Sequence, residues 1–122
     1  MGFDIVGKKA KSEKGEYFRN NVWFWRPLWQ YICIECDDIL TIKQAEGGCF
    51  NDGVKISKAK AERIAKRLEE KIQDGSVDLH KAGYDATVDK VGDKWAQNYP
   101  FLTENVVKFA EFCKESGGFE IW

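Results

Sequence analysis

Hydrophobic and polar residues alternate at the two ends of the chain and follow a helical period through much of its middle. Residues 2–6 and 118–122 read Gly-Phe-Asp-Ile-Val and Gly-Phe-Glu-Ile-Trp, an alternation that is typical of β-strands with one buried face. Because the two segments carry nearly the same pattern, they are suited to pair with each other. The sequence therefore predicts a small two-stranded or edge β-sheet that pairs the chain ends.

The first predicted helix begins at Pro27, because proline disfavours helical geometry at the preceding Arg26 and suits a first helical turn. Before it, residues 17–26 are predicted to be extended. The apolar face of the helix follows i, i+4, i+8 spacing and holds Leu28, Trp29, Ile32, Cys33, Cys36, Ile39 and Leu40.

Capping residues predict two further helices. Thr41 and Gln44 form a capping box for a short helix that stops at Gly47-Gly48. After a tight turn at Asn51-Asp52-Gly53, Ser57 caps a long helix over roughly residues 58–73. Its apolar stripe comprises Ala61, Ile64, Ala65, Leu68 and Ile72, and beside it lies a basic ridge of Lys60, Arg63, Arg67 and Lys71. The ridge is either an anion-facing edge or a row of basic side chains that snorkel beside buried surface.

The C-terminal part is less regular in pattern. Residues 76–100 are expected to form short helices joined by loops, and Thr103 is expected to cap a final helix that ends before Gly117-Gly118. The prediction is an α+β fold, a single helix-rich domain over residues 1–122, in which the first helix packs against the helices that start near Lys58 and Glu104.

Composition and charge limit the classes of function that the chain can have. A chain of 122 residues with 43% hydrophobic and 32% charged residues is expected to fold as a soluble protein. Its net charge of −1 supplies no global field for nucleic acid, and no apolar run approaches the roughly 18 residues of a membrane span. We therefore expect a cytoplasmic protein that binds neither membrane nor nucleic acid, with its cysteines reduced or bound to metal.

Cys33 and Cys36 form a Cys-x-x-Cys motif, the only spaced motif in the chain. A thiolate pair at this spacing supplies half of a zinc site, which Cys49, His80 or Cys113 would complete. A second close-spaced pair is missing, and a redox role fits poorly because Cys33 lies more than a turn inside its predicted helix. Both cysteines fall on the apolar face, so the alternative to a zinc or redox site is that they are reduced thiols packed in the core. We expect no cofactor, and zinc is the cofactor that the motif would bind if it binds one.

Aromatic, basic and amide side chains concentrate between Tyr17 and Arg26. In an extended segment Trp23 and Trp25 share one side, where indole rings suit stacking on a base. Guanidinium groups bind phosphate, and asparagine amides read the edge of a base. The alternative is that the tryptophans simply pack in the core. The candidate ligand-binding residues are Arg19, Asn20, Asn21, Trp23, Trp25, Arg26, Asp52, Arg63 and Arg67.

The same segment carries a family resemblance. Phe-Arg-Asn-Asn-Val-Trp-Phe-Trp-Arg-Pro-Leu-Trp over residues 18–29, with the Cys-x-x-Cys and Asn51-Asp52-Gly53 that follow, resembles a family of small uncharacterised proteins from phages and bacterial genomes. The likeness covers about the first half of the chain, and no known activity comes with it. It implies only a context, in which small phage proteins act on host machinery or host defence by binding.

The sequence contains no nucleophile elbow, phosphate-binding Walker loop or paired-histidine metal motif, so we expect binding rather than catalysis. The leading hypothesis is a non-enzymatic protein that captures a small anionic, nucleotide-like ligand, as a phage-encoded sponge for a host defence signal. The alternatives are a structural or protein-interaction module, which would act on a host protein, and a small zinc-binding domain. A homo-oligomer is compatible with each of them.

Overall fold

A four-stranded antiparallel sheet forms one layer of the fold in a computed structural model, which describes residues 2–50, 53–91 and 99–122. The strands lie in the order β2-β1-β4-β3, and their bounds are β1 Gly2–Gly7, β2 Tyr17–Asn21, β3 Val54–Ile56 and β4 Phe119–Ile121. The predicted pairing of the chain ends is confirmed, with Ile5 opposite Ile121. The prediction of two strands was wrong, because β2 and the three-residue β3 each add an edge strand.

Each face of the sheet has a distinct role. Cross-strand partners share a face, so Ile5, Phe18 and Ile121 lie together on the side that packs against the helices. Asp4 and Arg19 are also cross-strand partners, and they lie on the opposite, solvent-facing side. The alternation of the sequence at the chain ends therefore records one buried and one exposed face, as predicted.

The helices form the second layer. Their bounds are α1 Val22–Glu35, α2 Ile42–Gly47, α3 Lys58–Gln73, α4 Ser76–Val91 and α5 Thr103–Ser116, and a 3-10 turn spans Glu13–Gly15. α1 contacts both α3 and α5, as predicted, and the core between helices and sheet is rich in aromatic rings. The α+β, helix-rich fold class is thus confirmed. Within the described part of the chain, none of the helices has the length and apolar character needed to cross a bilayer.

α1 begins five residues earlier than the sequence predicts. It starts at Val22, because the Asn21 side chain accepts hydrogen bonds from the backbone N–H groups of Trp23 and Phe24 at 3.1 and 3.2 Å. Pro27 therefore lies inside the helix instead of at its first position. The asparagine cap satisfies two of the amides that a helix start leaves unpaired, and this stabilises helical geometry ahead of the proline.

The caps of α2 and α3 are confirmed. Thr41 and Gln44 form both bonds of the capping box, and Ser57 accepts a hydrogen bond from the backbone of Lys60. α5 ends as predicted at Gly117, which has a left-handed φ of 67°. Its predicted Thr103 cap is wrong, since the N-cap position is Leu102 and the Thr103 hydroxyl donates instead to Asp78.

The prediction of short helices joined by loops in residues 76–100 was also wrong for residues 76–91. Ser76–Val91 is one continuous helix, α4, which runs through Gly83. Tyr84 on this helix donates a hydrogen bond to the carbonyl oxygen of Tyr99, which ties α4 to the segment ahead of α5. Residues 92–98, together with the predicted turn residues Asn51 and Asp52, lie outside the described residues.

Candidate ligand-binding cleft

A cleft of about 560 Å³ lies between α1 and α2, and its surface is mainly apolar. The α1 side includes two tryptophans, and α2 with the two residues after Gly48 forms the other side. We call it the α1–α2 cleft, and its lining residues are Trp25, Arg26, Trp29, Gln30, Cys33, Ala45, Glu46, Cys49 and Phe50. It is therefore a mostly hydrophobic cleft with a small number of polar side chains.

Two tryptophans position α2 against α1. The indole N–H of Trp25 donates to the carbonyl oxygen of Gly48 at 2.8 Å, and that of Trp29 donates to Ala45 at 2.9 Å. The two residues are four positions apart on α1, so they share a helix face, and their rings stack with centroids 5.4 Å apart. We call this pair the indole clamp. It holds the C-terminal turn of α2, a helix in which no residue is buried.

Gly48 is required at the clamp for space and not for backbone conformation. Its φ of −67° and ψ of −13° are accessible to any residue. A Cβ atom added there would lie 2.2 Å from the Trp29 ring, far inside van der Waals contact. The close approach of backbone to ring is what allows the buried indole of Trp25 to reach the Gly48 carbonyl oxygen.

Arg26 supplies a positive charge beside this apolar surface. Its side chain is exposed, and among the described residues no carboxylate lies within ion-pair distance of it. Its charge acts on the Cys49 thiol, where it opposes the larger effect of partial burial, so the pKa of Cys49 is raised overall. Glu46 lines the same cleft, so an anionic group and a hydrogen-bond donor of one ligand both find complementary groups there.

The thiols of Cys33 and Cys49 both line the cleft and lie near the same backbone carbonyl group. Both approach the carbonyl oxygen of Ala45, at 3.9 and 3.8 Å. Burial raises the pKa of Cys33 to about 12, with a further contribution from Cys49. Cys36, by contrast, is fully buried in the core, and burial also raises its pKa to about 12. The Cys-x-x-Cys motif is therefore divided between the cleft and the core.

A metal site needs more ligands than this pair. In residues 2–50, 53–91 and 99–122, no three His, Cys, Asp or Glu side chains are close enough together to hold a metal ion. Cys113 is buried near Cys36, as the influence of Cys36 on its raised pKa shows, but it adds only a second sulfur. The zinc hypothesis thus finds no complete set of ligands among the described residues.

The tryptophans predicted to stack on a ligand have different surroundings. Trp25 has 0% of its surface exposed and lies between Phe3 and Trp29, so neither face of its ring is open to a base. Trp23 is 38% exposed, and its ring packs on Tyr99 with centroids 4.8 Å apart. In a helix these two residues point in different directions, unlike in the extended segment that the sequence suggested.

The predicted polar residues of β2 make contacts within the protein. Arg19 forms an ion pair with Asp4 at 2.7 Å on the outer face of the sheet. The Tyr17 hydroxyl donates to the same carboxylate, and this hydrogen bond, with the Arg19 charge, lowers the pKa of Asp4. Asn20 accepts a hydrogen bond from Asn105 at 2.8 Å, and Asn21 is the cap of α1.

The basic ridge of α3 packs against the α1–α2 connection. Arg67 donates two hydrogen bonds of 2.9 Å to Asp38 and another to the carbonyl oxygen of Glu35, and it lowers the pKa of Asp38. Arg63 lies 3.7 Å from Asp38. Lys71 pairs with Glu35, and Lys60 donates to the Gln44 side chain. The ridge thus holds the α1–α2 connection on α3 and does not face the cleft.

Of the nine predicted ligand-binding residues, the structure brings only Trp25 and Arg26 to the α1–α2 cleft, and Asp52 lies outside the described residues. Sequence reasoning missed the residues of α2 and the two that follow Gly48, chiefly Glu46, Cys49 and Phe50. No local pattern marks them, because the sequence does not show which residues of α1 pack against α2.

The role of Asn21 as a helix cap is testable. Asn21→Ala is expected to lower the free energy of unfolding by about 1 kcal/mol, the usual cost of losing such a cap. Ligand affinity should be unchanged once the variant is folded. Urea unfolding followed by circular dichroism measures the loss, and Asn21→Ser, which keeps a side-chain oxygen that can accept the cap hydrogen bonds, should retain most of the stability. A large loss of affinity in folded Asn21→Ala would contradict the cap assignment.

Comparison of the chain with protein-family models, with curated protein sequences and with solved structures finds no match to any of them. We therefore infer the function from the geometry of the cleft.

Proposed function

We propose that the protein is a non-enzymatic binding protein that captures a small anionic, nucleotide-like ligand in the α1–α2 cleft. The observation that carries the proposal is an apolar cleft of about 560 Å³ with an exposed arginine that has no carboxylate partner among the described residues. Sites for small molecules typically measure about 300–1,000 Å³ and combine apolar walls with a few polar groups. The cleft fits that description.

The groups of the cleft match the parts of a nucleotide. Phe50 is 60% exposed, so its ring is available to pack against a flat base. Arg26 offers a guanidinium for a phosphate group, which it binds best through two parallel hydrogen bonds. The Gln30 amide and the Glu46 carboxylate supply acceptors for the ring N–H groups of a base.

Capture without turnover agrees with the chemistry of the lining. The potential nucleophiles are the thiols of Cys33 and Cys49, and the pKa of each is raised, so both are protonated near neutral pH. Among the described lining residues, Glu46 is the only carboxylate, and no hydrogen bond joins it to a thiol, so neither thiol has a general base beside it in this part of the chain. We propose that the biological role is that of a phage-encoded sponge for a host defence signal, supported by the resemblance of residues 18–29 to small phage proteins.

Arg26→Ala is the variant that tests the proposal, with Arg63→Ala as its matched control. Both arginines are exposed, but Arg63, on α3, faces Asp38 in the connection between α1 and α2 and not the cleft. A charge-assisted hydrogen bond contributes about 1.5–3 kcal/mol, so Arg26→Ala is expected to weaken binding by about 10- to 100-fold. Arg63→Ala should leave the affinity within about twofold. Isothermal titration against nucleoside monophosphates and cyclic mono- and dinucleotides measures both.

A second pair of variants locates the ring of the ligand. Phe50→Ala should weaken binding, whereas Trp23→Ala, which removes a partly exposed ring outside the cleft, should not. Equal losses in Arg26→Ala and Arg63→Ala, or a loss confined to Trp23→Ala, would place the ligand elsewhere. If no member of the panel binds the wild-type protein, the capture proposal fails, and the interaction-module hypothesis takes its place.

A further inference from the structure

Two cysteines from different elements meet at the α1–α2 cleft. Cys33 lies in the last turns of α1, and Cys49 lies just after the C-terminal end of α2. Because both Sγ atoms approach the Ala45 carbonyl oxygen, at 3.9 and 3.8 Å, they lie no further apart than the sum of those distances. All four cysteines are free thiols in this structure.

We propose that Cys33 and Cys49 are a redox pair that forms a disulfide across the α1–α2 cleft when the protein meets a low-molecular-weight disulfide such as oxidised glutathione. Closing the bond requires the two Sγ atoms to approach to about 2.05 Å. The element that has to adjust is the end of α2, a helix with no buried residue.

The reaction balances by two thiol–disulfide exchanges. The Cys49 thiolate attacks one sulfur of oxidised glutathione and releases one glutathione thiolate, which takes up a proton. The Cys33 thiolate then attacks the Cys49 sulfur of the mixed disulfide and releases the second glutathione. Two S–H bonds of the protein are lost, one S–S bond forms, and one oxidised glutathione is reduced to two thiols.

The order of attack follows from exposure and charge. Cys49 is exposed whereas Cys33 is partly buried, so Cys49 meets the oxidant first. Burial raises the pKa of the Cys49 thiol, and the nearby Arg26 charge offsets part of that effect. Cys33 is only partly buried and reaches the mixed disulfide from the other side of the cleft. Cys36 and Cys113 have 0% of their surface exposed, so they do not compete for the oxidant. The partner of Cys33 is therefore Cys49 and not Cys36, its neighbour in the Cys-x-x-Cys motif.

The disulfide has a consequence for the cleft that rests on the proposed function. A covalent link from α1 to the end of α2 crosses the space in which the ligand is proposed to bind. The oxidised protein is therefore expected to bind the ligand at least tenfold more weakly than the reduced protein, and reduction with dithiothreitol should restore the affinity.

The test is oxidation of the whole protein with oxidised glutathione, followed by intact mass and peptide mapping without reduction. The expected product has lost two hydrogens, carries no glutathione, and yields a tryptic peptide pair joined through Cys33 and Cys49. Lys43 lies between the two cysteines, so unlinked peptides separate on digestion. In Cys33→Ser, Cys49 should accumulate as a glutathione adduct, and Cys49→Ser should resist oxidation.

The outcomes separate the two proposals. A Cys33–Cys36 link, a glutathione adduct on wild-type Cys49 that does not resolve, or a protein that stays reduced at pH 8 overturns the redox pair. Cys36→Ser is the control variant and should still form the Cys33–Cys49 link. Because Cys36 is buried, this variant could fail to fold, and in that case the peptide map of the wild-type protein decides between the two links. Because the mass measurement needs no ligand, a protein that forms the link and binds no nucleotide would refute only the capture proposal.

Discussion

Trp25→Ala is expected to lower the free energy of unfolding by about 3–5 kcal/mol, the usual range for removing a large buried aromatic side chain. Trp25 is fully buried, stacks on Phe3 and Trp29, and donates the hydrogen bond that holds Gly48. Its loss leaves a cavity between the sheet and α1 and frees one end of α2. Urea unfolding followed by far-ultraviolet circular dichroism measures the change without relying on tryptophan fluorescence.

Two further variants separate the parts of this effect. Trp25→Phe keeps most of the ring but leaves the Gly48 carbonyl oxygen without its donor, which should cost about 1–3 kcal/mol. Trp23→Ala removes an indole that is 38% exposed and should cost less than Trp25→Ala. If Trp25→Ala kept wild-type stability and lost only ligand binding, Trp25 would be a stacking residue, as the sequence suggested, and the indole clamp would be wrong.

Gly48→Ala is expected to destabilise the protein by about 1–3 kcal/mol, as overpacking usually does. The sign of this change in the free energy of unfolding is informative. Gly48 has helical φ and ψ, so on backbone grounds alone alanine would stabilise this turn. The added methyl group would instead meet the Trp29 ring at 2.2 Å and push α2 away from the indole clamp. Thermal unfolding of the variant measures the loss.

Gly83→Ala provides the matched control. Gly83 lies inside α4, and nothing surrounds the position of its missing Cβ within 4 Å. Alanine there should raise the free energy of unfolding by about 0.5–1 kcal/mol, because it restricts the unfolded chain and favours helix. Opposite signs for the two variants are expected, and a stabilising Gly48→Ala would show that the contact between α2 and α1 is looser than the structure indicates.

Local signals predicted those parts of the fold whose interactions lie within a few residues. The capping box of Thr41 and Gln44 and the cap at Ser57 are hydrogen bonds across three residues, so the sequence shows both partners side by side. The alternation at the chain ends was informative for a related reason, because a strand with one buried face displays its period directly. These elements were placed within a residue or two.

The candidate site was harder to predict because it depended on one helix boundary. An extended segment puts Trp23 and Trp25 on the same side, whereas in a helix they are about 200° apart. As a helix cap, Asn21 starts α1 five residues earlier than the sequence predicts, and Trp25 then faces the core. The pairing of Arg67 with Asp38 joins residues far apart in sequence, and no local pattern predicts such a contact.

The position of β4 has a consequence for the order of folding. β4 lies between β1 and β3 and pairs with both. Among the described residues, β3 pairs with no other strand. The sheet is therefore complete only when β1 and β4 pair, and this pairing closes nearly the whole chain into one loop at a cost in conformational entropy. During synthesis, β1 and β2 can pair early as a local hairpin, while β3 waits for residues that leave the ribosome more than sixty positions later.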